Sequence, residues 1–174
     1  ATVLSDSFMA IFMPVFMWLM LLAMAACTVK KDNQDQGHTS DQKLPNPFED
    51  VASLEEAEKA AGFTFRAPET LNGSDNVVYR VLTEGDKMIE IIYLKGEKEV
   101  ARIRKAPGSE DISGDYNEYA ETTVAERSEI SVTLKGKDGK VMTASWNLDG
   151  YSYSLTNDSG MEAEEILSAA AAMT

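Results

Sequence analysis

Few residues in this chain could do chemistry, and their placement excludes most reaction classes. There is one cysteine and one histidine. Cys27 closes an apolar run and His38 stands in a polar stretch, so a nucleophile–base pair cannot be built on them within a folded domain. A single thiol also excludes an internal disulfide framework and a multi-thiolate metal site. The sequence has no glycine loop for phosphate and no His-Glu-x-x-His. Carboxylates abound, but no pattern singles out an acid–base pair. No catalytic residue and no cofactor is expected.

Two polar sets do stand out. In DISGDYNEYAE (Asp111–Glu121), the residues Asp111, Ser113, Asp115 and Asn117 offer oxygen at alternate positions, as a calcium loop does. The likeness then fails, because such a loop needs Gly where Tyr116 stands and Glu where Thr122 stands. The competing and preferred reading is a turn whose Asp and Ser side chains bond their own backbone. The second set is Arg80, Arg102 and Arg104. With Gly85-Asp86 and Gly96-Glu97 as two-residue hairpin turns, Arg80 opposes Ile91, Ile91 opposes Arg102, and Arg104 follows on the same face opposite Ile89. Three guanidiniums on one face suit a carboxylate or phosphate ligand. Pairing with local Glu residues is the competing, favoured reading, with Val77, Tyr79, Val81, Ile92 and Ile103 on the face that packs.

Charge narrows the partners. The formal net charge is −13, from 29 acidic and 16 basic residues, and only Asp6 of these precedes Cys27. Such a surface repels nucleic acid and anionic headgroups.

The elements that position these residues begin with a targeting segment. Phe8 to Cys27 carries no charge, and 20 such residues are enough to span a bilayer as a helix. Ala25-Ala26-Cys27 resembles a lipobox, in which the cysteine is lipidated and becomes the new N-terminus. Met24 in place of the usual Leu, and the lack of Lys or Arg before the run, depart from that pattern; Ala1 rather than Met at the start fits either a basic region missing ahead of it or a miscalled start. An uncleaved transmembrane anchor is the competing reading. In both, residues 1–27 are a targeting segment, not part of the fold. Thr28–Pro47 is polar and aperiodic and is read as a tether, with His38 inside it. Residues 48–174 form a single domain.

That domain opens with a helix over Val51–Phe63, with a Ser53/Glu56 capping box and a stop at Gly62. Strand patterns cover Asn76–Glu84, Lys87–Lys95, Lys98–Ala106, Glu129–Lys135, Lys140–Leu148 and Tyr151–Thr156, with a fainter one at Glu121–Ala125. A type I′ turn at Asp149-Gly150 sets Leu148 opposite Tyr151, Trp146 opposite Tyr153 and Ala144 opposite Leu155. A three-residue loop at Lys137-Asp138-Gly139 sets Leu134 opposite Met142, Val132 opposite Ala144 and Ile130 opposite Trp146. Both registers put the apolar residues on one face. Ser159/Glu162 is read as a second capping box, opening a helix to Met173. Asn72-Gly73-Ser74 and Asn157-Asp158-Ser159 are read as turns. The expected fold is α+β: an antiparallel meander of about six strands covered by an N-terminal and a C-terminal helix.

Three segments carry a family resemblance: SLEEAEKAAGFTFRAPETL, DISGDYNEY and ASWNLDGYSYSL. Together they resemble an uncharacterised extracytoplasmic domain family of Gram-positive lipoproteins, found also at the outer ends of membrane-anchored sigma-factor regulators. The resemblance spans Phe48 to Thr174 and implies a fold rather than an activity. The expectation is a lipid-anchored, extracytoplasmic, non-enzymatic binding or interaction module at the cell membrane. Its partner would be an envelope protein, a cell-wall polymer or a small anionic ligand, and not nucleic acid. The alternatives are an envelope enzyme working through carboxylates and a sensor domain partnering a membrane regulator.

Overall fold

The computed structural model describes residues 46–173. Cys27, His38 and most of the tether lie outside the described residues.

A short strand β1 (Glu49–Val51) leads into helix α1 (Leu54–Ala61). The Ser53 side chain accepts from the Glu56 N–H, the Glu56 carboxylate accepts from the Ala52 N–H, and Gly62 ends the helix at φ 86°. Strands β2 (Asn76–Leu82), β3 (Met88–Lys95) and β4 (Lys98–Pro107) follow, then β5 (Glu121–Arg127), β6 (Ile130–Lys137), β7 (Lys140–Leu148), β8 (Tyr151–Met161) and helix α2 (Ala163–Ala172). The fold is α+β and antiparallel, as expected, but it has eight strands and is not a simple meander. The sheet order is β1-β2-β3-β4-β8-β7-β6-β5, so β8 is inserted between β4 and β7. Nor do the helices together flank the sheet: α1 lies against β1–β3 and α2 against β5–β8.

Three hairpin registers differ from expectation. Leu82 pairs with Met88, leaving a five-residue loop in place of a two-residue turn at Gly85-Asp86. Gly96-Glu97 is the expected turn, but a bulge at Tyr93/Leu94 shifts the rest of that ladder by one residue. Asp138-Gly139 is a two-residue turn, and a bulge at Lys135/Gly136 pairs Leu134 with Ala144 instead of Met142. Gly136 is required at this bulge, since a Cβ there would lie 1.9 Å from the Lys140 carbonyl oxygen. The Asp149-Gly150 hairpin has the expected register from Leu148 opposite Tyr151 to Thr143 opposite Thr156, beyond which the ladder shifts.

At the far end β8 continues to Met161, which pairs with Val141. The Asn157-Asp158-Ser159 stretch is therefore an irregular part of a strand and not a turn. Glu162 caps α2 without a side-chain bond, so the second capping box does not form. Asn157 holds this irregularity in place, donating to the Val141 and Met142 carbonyls at 3.0 and 3.3 Å. Asn72-Gly73 is a turn, with both residues at positive φ.

The hydrophobic core lies on one face of the sheet. Ala57 and Ala61 of α1 and Ile166, Leu167 and Ala170 of α2 join Ile91, Ile103, Leu155, Val132 and Trp146 there. Trp146 is buried and stacks on Tyr153, with ring centroids 5.4 Å apart. Among the described residues no helix is long and apolar enough to cross a membrane.

Candidate functional site

The opposite face of the sheet is polar, and a crossover loop is pinned over it. Following the ladder of antiparallel neighbours, β4 and β5 run parallel to each other, which requires a long crossover. That crossover is the segment 108–120, and it spans the width of β8, β7 and β6.

Beneath the crossover, Glu90 is fully buried, which an isolated carboxylate could not tolerate. Three arginines neutralise it. Arg104 approaches its Oε2 through Nε at 2.7 Å and Nη2 at 2.6 Å. Arg80 Nη1 lies 2.9 Å from Oε1 as an ion pair, outside hydrogen-bond alignment. Arg102 Nη1 is more distant, 3.5 Å from Oε2. The Phe48 ring closes the cluster, 5.0 Å from the Arg80 guanidinium and 5.7 Å from that of Arg104. The three arginines do share a face, but the corrected register pairs both Arg80 and Arg104 with Glu90. It also puts Ile92, paired with Arg102, on this face rather than on the packing one.

Arg104 also holds the crossover. Its Nη1 donates to the Ile112 and Ser113 carbonyls at 2.9 and 2.8 Å. Gly114, at φ +65°, sits where a Cβ would come within 2.5 Å of that nitrogen. The alternating oxygens of the loop form a staircase: Asp111 accepts from the Ser113 N–H at 2.9 Å, Ser113 from the Asp115 N–H at 3.2 Å, and Asp115 from the Asn117 N–H at 3.0 Å. The second oxygen of Asp111 faces Lys135, and that of Asp115 takes the Thr143 and Tyr119 hydroxyls. These oxygens are thus spent on turns and on fastening the loop to β6 and β7. Among the described residues no three His, Cys, Asp or Glu side chains are grouped to hold a metal ion.

Burial alone would push the Asp115 carboxyl up, but bonds from Thr143, Tyr119 and Asn117 hold it below its ordinary value of 3.8. The same balance applies to Asp111, where Ser113 and Lys135 outweigh burial. Because the folded value is the lower one, this stabilisation is complete above about pH 4 and is lost as pH falls through the folded value. Thermal melts of wild type and Asp115→Asn should therefore differ at neutral pH, with the wild type more stable, and converge once pH falls below the folded value. A gap that stays constant with pH would show that Asp115 does not fasten the loop as a carboxylate.

Among the described residues, three clefts border the crossover on this face. One of about 460 Å³ lies beside Arg104 and Asp111, and one of about 160 Å³ beside Ser145 and Asn147. The third, of about 360 Å³, lies between the crossover and the β4, β7 and β8 strands and gathers most residues of the two sets. It brings together Arg102 from the arginine set and Ser113, Asp115 and Asn117 from the loop set, with Tyr119 and Asp158 beside them. Arg80, Arg104 and Asp111 are not part of its lining. Arg102 is the most exposed of the three arginines, at 28 %. Its Nη2 binds Glu99 at 2.7 Å and its Nε has no partner. Burial opposes its charge, but Glu99, Glu90 and Asp158 raise its pKa further.

Glu90, Phe48 and Tyr119 are the residues that sequence reasoning missed here. So is Lys105 on the core face, which is buried and donates to the Thr64 carbonyl at 2.7 Å. Its ammonium lies 4.3 Å from the Tyr151 ring centre and 5.1 Å from that of Tyr153, and burial lowers its pKa. Strand alternation with Ala101 and Ile103 was the available signal for it.

Comparison with protein-family models, curated proteins and solved structures finds no match to this chain.

Proposed function

We propose that this chain is a lipid-anchored, extracytoplasmic, non-enzymatic binding module, attached through Cys27 and taking its ligand in the cleft beside Arg102. The observation that carries the binding reading is the contrast among the arginines. Arg80 and Arg104 hold Glu90 at 2.9 Å or closer, and Arg104 the crossover backbone as well, whereas Arg102 lies 3.5 Å from Glu90, is the most exposed of the three at 28 % and lines this cleft. A guanidinium edge beside the Asp115 and Asp158 carboxylates suits a small ligand that carries both an acid group and N–H or O–H donors.

A thermal-shift screen of acidic cell-wall fragments and amino or hydroxy acids tests the cleft. At least one compound should raise the melting temperature of the wild type and leave Arg102→Ala unmoved. No shift in the wild type, or an equal shift in both proteins, would sink the reading.

The anchor is supported by Ala25-Ala26-Cys27 closing an uncharged run, and by the resemblance of the domain segments to extracytoplasmic lipoproteins. Metabolic labelling with a tagged fatty acid should mark the wild type and not Cys27→Ser. Equal label in both would exclude lipidation at this residue.

A further inference from the structure

The sheet ends in two different ways. At one end β1 is only three residues long. At the other, β5 pairs with β6 along all seven of its residues without a bulge, and nothing among the described residues pairs with its outer side. β5 (ETTVAER) contains no proline or lysine, and Val124 on it is 64 % exposed, one of two exposed large hydrophobic residues in the described chain. A long, regular, unblocked edge is a template for another strand.

We infer that β5 is a self-association edge, pairing antiparallel with β5 of a second copy about a two-fold axis through Val124.

Three features of the strand agree on this register. The first is hydrogen-bond phase. Arg127 and Ile130 flank the two-residue turn at Ser128-Glu129, so they form a pair that exchanges both backbone bonds, and Ala125, Thr123 and Glu121 likewise point theirs at β6. Thr122, Val124 and Glu126 are left with N–H and C=O groups directed outward. Pairing centred on Val124 sets Val124 against itself and Thr122 against Glu126, so every outward group meets an outward group. Centring on Thr123 or Ala125 would match outward groups as well but would pair only five of the seven residues, and an axis between two residues would set outward groups against inward ones.

The second feature is charge. The same register sets Glu121 opposite Arg127 of the second copy at both ends of the seven-residue ladder, an opposite-charge cross-strand pair. The third is apolar contact, since Val124 is the middle residue of the strand and meets its own copy at the axis. An isologous interface needs this kind of self-complementarity.

The test uses the full-length chain in detergent, with Cys27→Ser removing the native thiol. One preparation carries Thr123→Cys and the other Ala125→Cys. These positions face each other in a non-hydrogen-bonded pair whose ~4.5 Å Cα spacing is within disulfide reach. Under mild oxidation the mixture should give at least about fivefold more cross-linked dimer than either variant alone. Adding Val124→Lys to both places two ammoniums at the axis and should remove that excess, while the melting temperature stays unchanged because Val124 is exposed. A mixture that cross-links no better than the single variants overturns the register. An excess that survives Val124→Lys overturns the edge itself. Neither result depends on whether the Arg102 cleft binds a ligand.

Discussion

Glu90→Ala is expected to destabilise the fold by about 3–5 kcal/mol, the usual cost of breaking a buried ion cluster by removing one partner. The cost arises less from the lost attraction than from what remains. Arg104, 13 % exposed, would be left without a counter-charge, and Arg80, 14 % exposed, with only the solvent-exposed Asp50 at 3.4 Å. Arg104 would lose the carboxylate that orients it towards the crossover carbonyls, so the 108–120 segment should loosen as well. Urea melts measure the first effect, and amide exchange at Ser113 and Asp115 measures the second. Arg102→Ala should cost much less, because Arg102 is more exposed and sits farther from Glu90. A Glu90→Ala loss below about 1 kcal/mol would show that the cluster contributes no more than a solvent-exposed pair.

Trp146→Ala should cost a similar amount, about 3–5 kcal/mol, by a different route. The indole is 3 % exposed and lies nearly parallel to the Tyr153 ring, so truncation opens a cavity beside that ring. Its Nε1 is buried without a partner. Trp146→Phe keeps the ring contact and removes that unpaired donor, so it should cost clearly less than the alanine variant. Equal losses for the two would mean that the stacking contact is not what stabilises this face.

The Asp149-Gly150 hairpin was legible because its turn is chemically marked. Both residues adopt positive φ, and the apolar alternation on either side allows only one register. The bulges at Tyr93/Leu94 and Lys135/Gly136 were not legible, because nothing in a local pattern says where a ladder gains a residue. The consequence for the site was large. A one-residue slip in β3 turns Glu90 to the wrong face, so the favoured reading of pairing with local Glu residues could not name Glu90 as the carboxylate all three arginines share. In the DISGDYNEY loop the self-bonding turns could be read from residue type. The attachments to Arg104, Lys135 and Thr143 could not, since they depend on where the crossover runs. Strand order was equally hidden: β8 meets β4 through pairs such as Ile103 with Leu155, far apart in sequence.

The position of β8 sets a timetable for assembly. β2 to β4 can zip into one ribbon and β5 to β7 into another from local hairpins, which close on the microsecond scale. Neither ribbon can join the other until β8 is available to sit between β4 and β7. Until then each ribbon keeps an extra raw edge, at β4 or β7, and half of an uncovered apolar face, the condition in which chains mispair during synthesis. The joining step closes a long loop before it gains any contact, so it should be the slow phase of refolding and the one that chaperones must wait for.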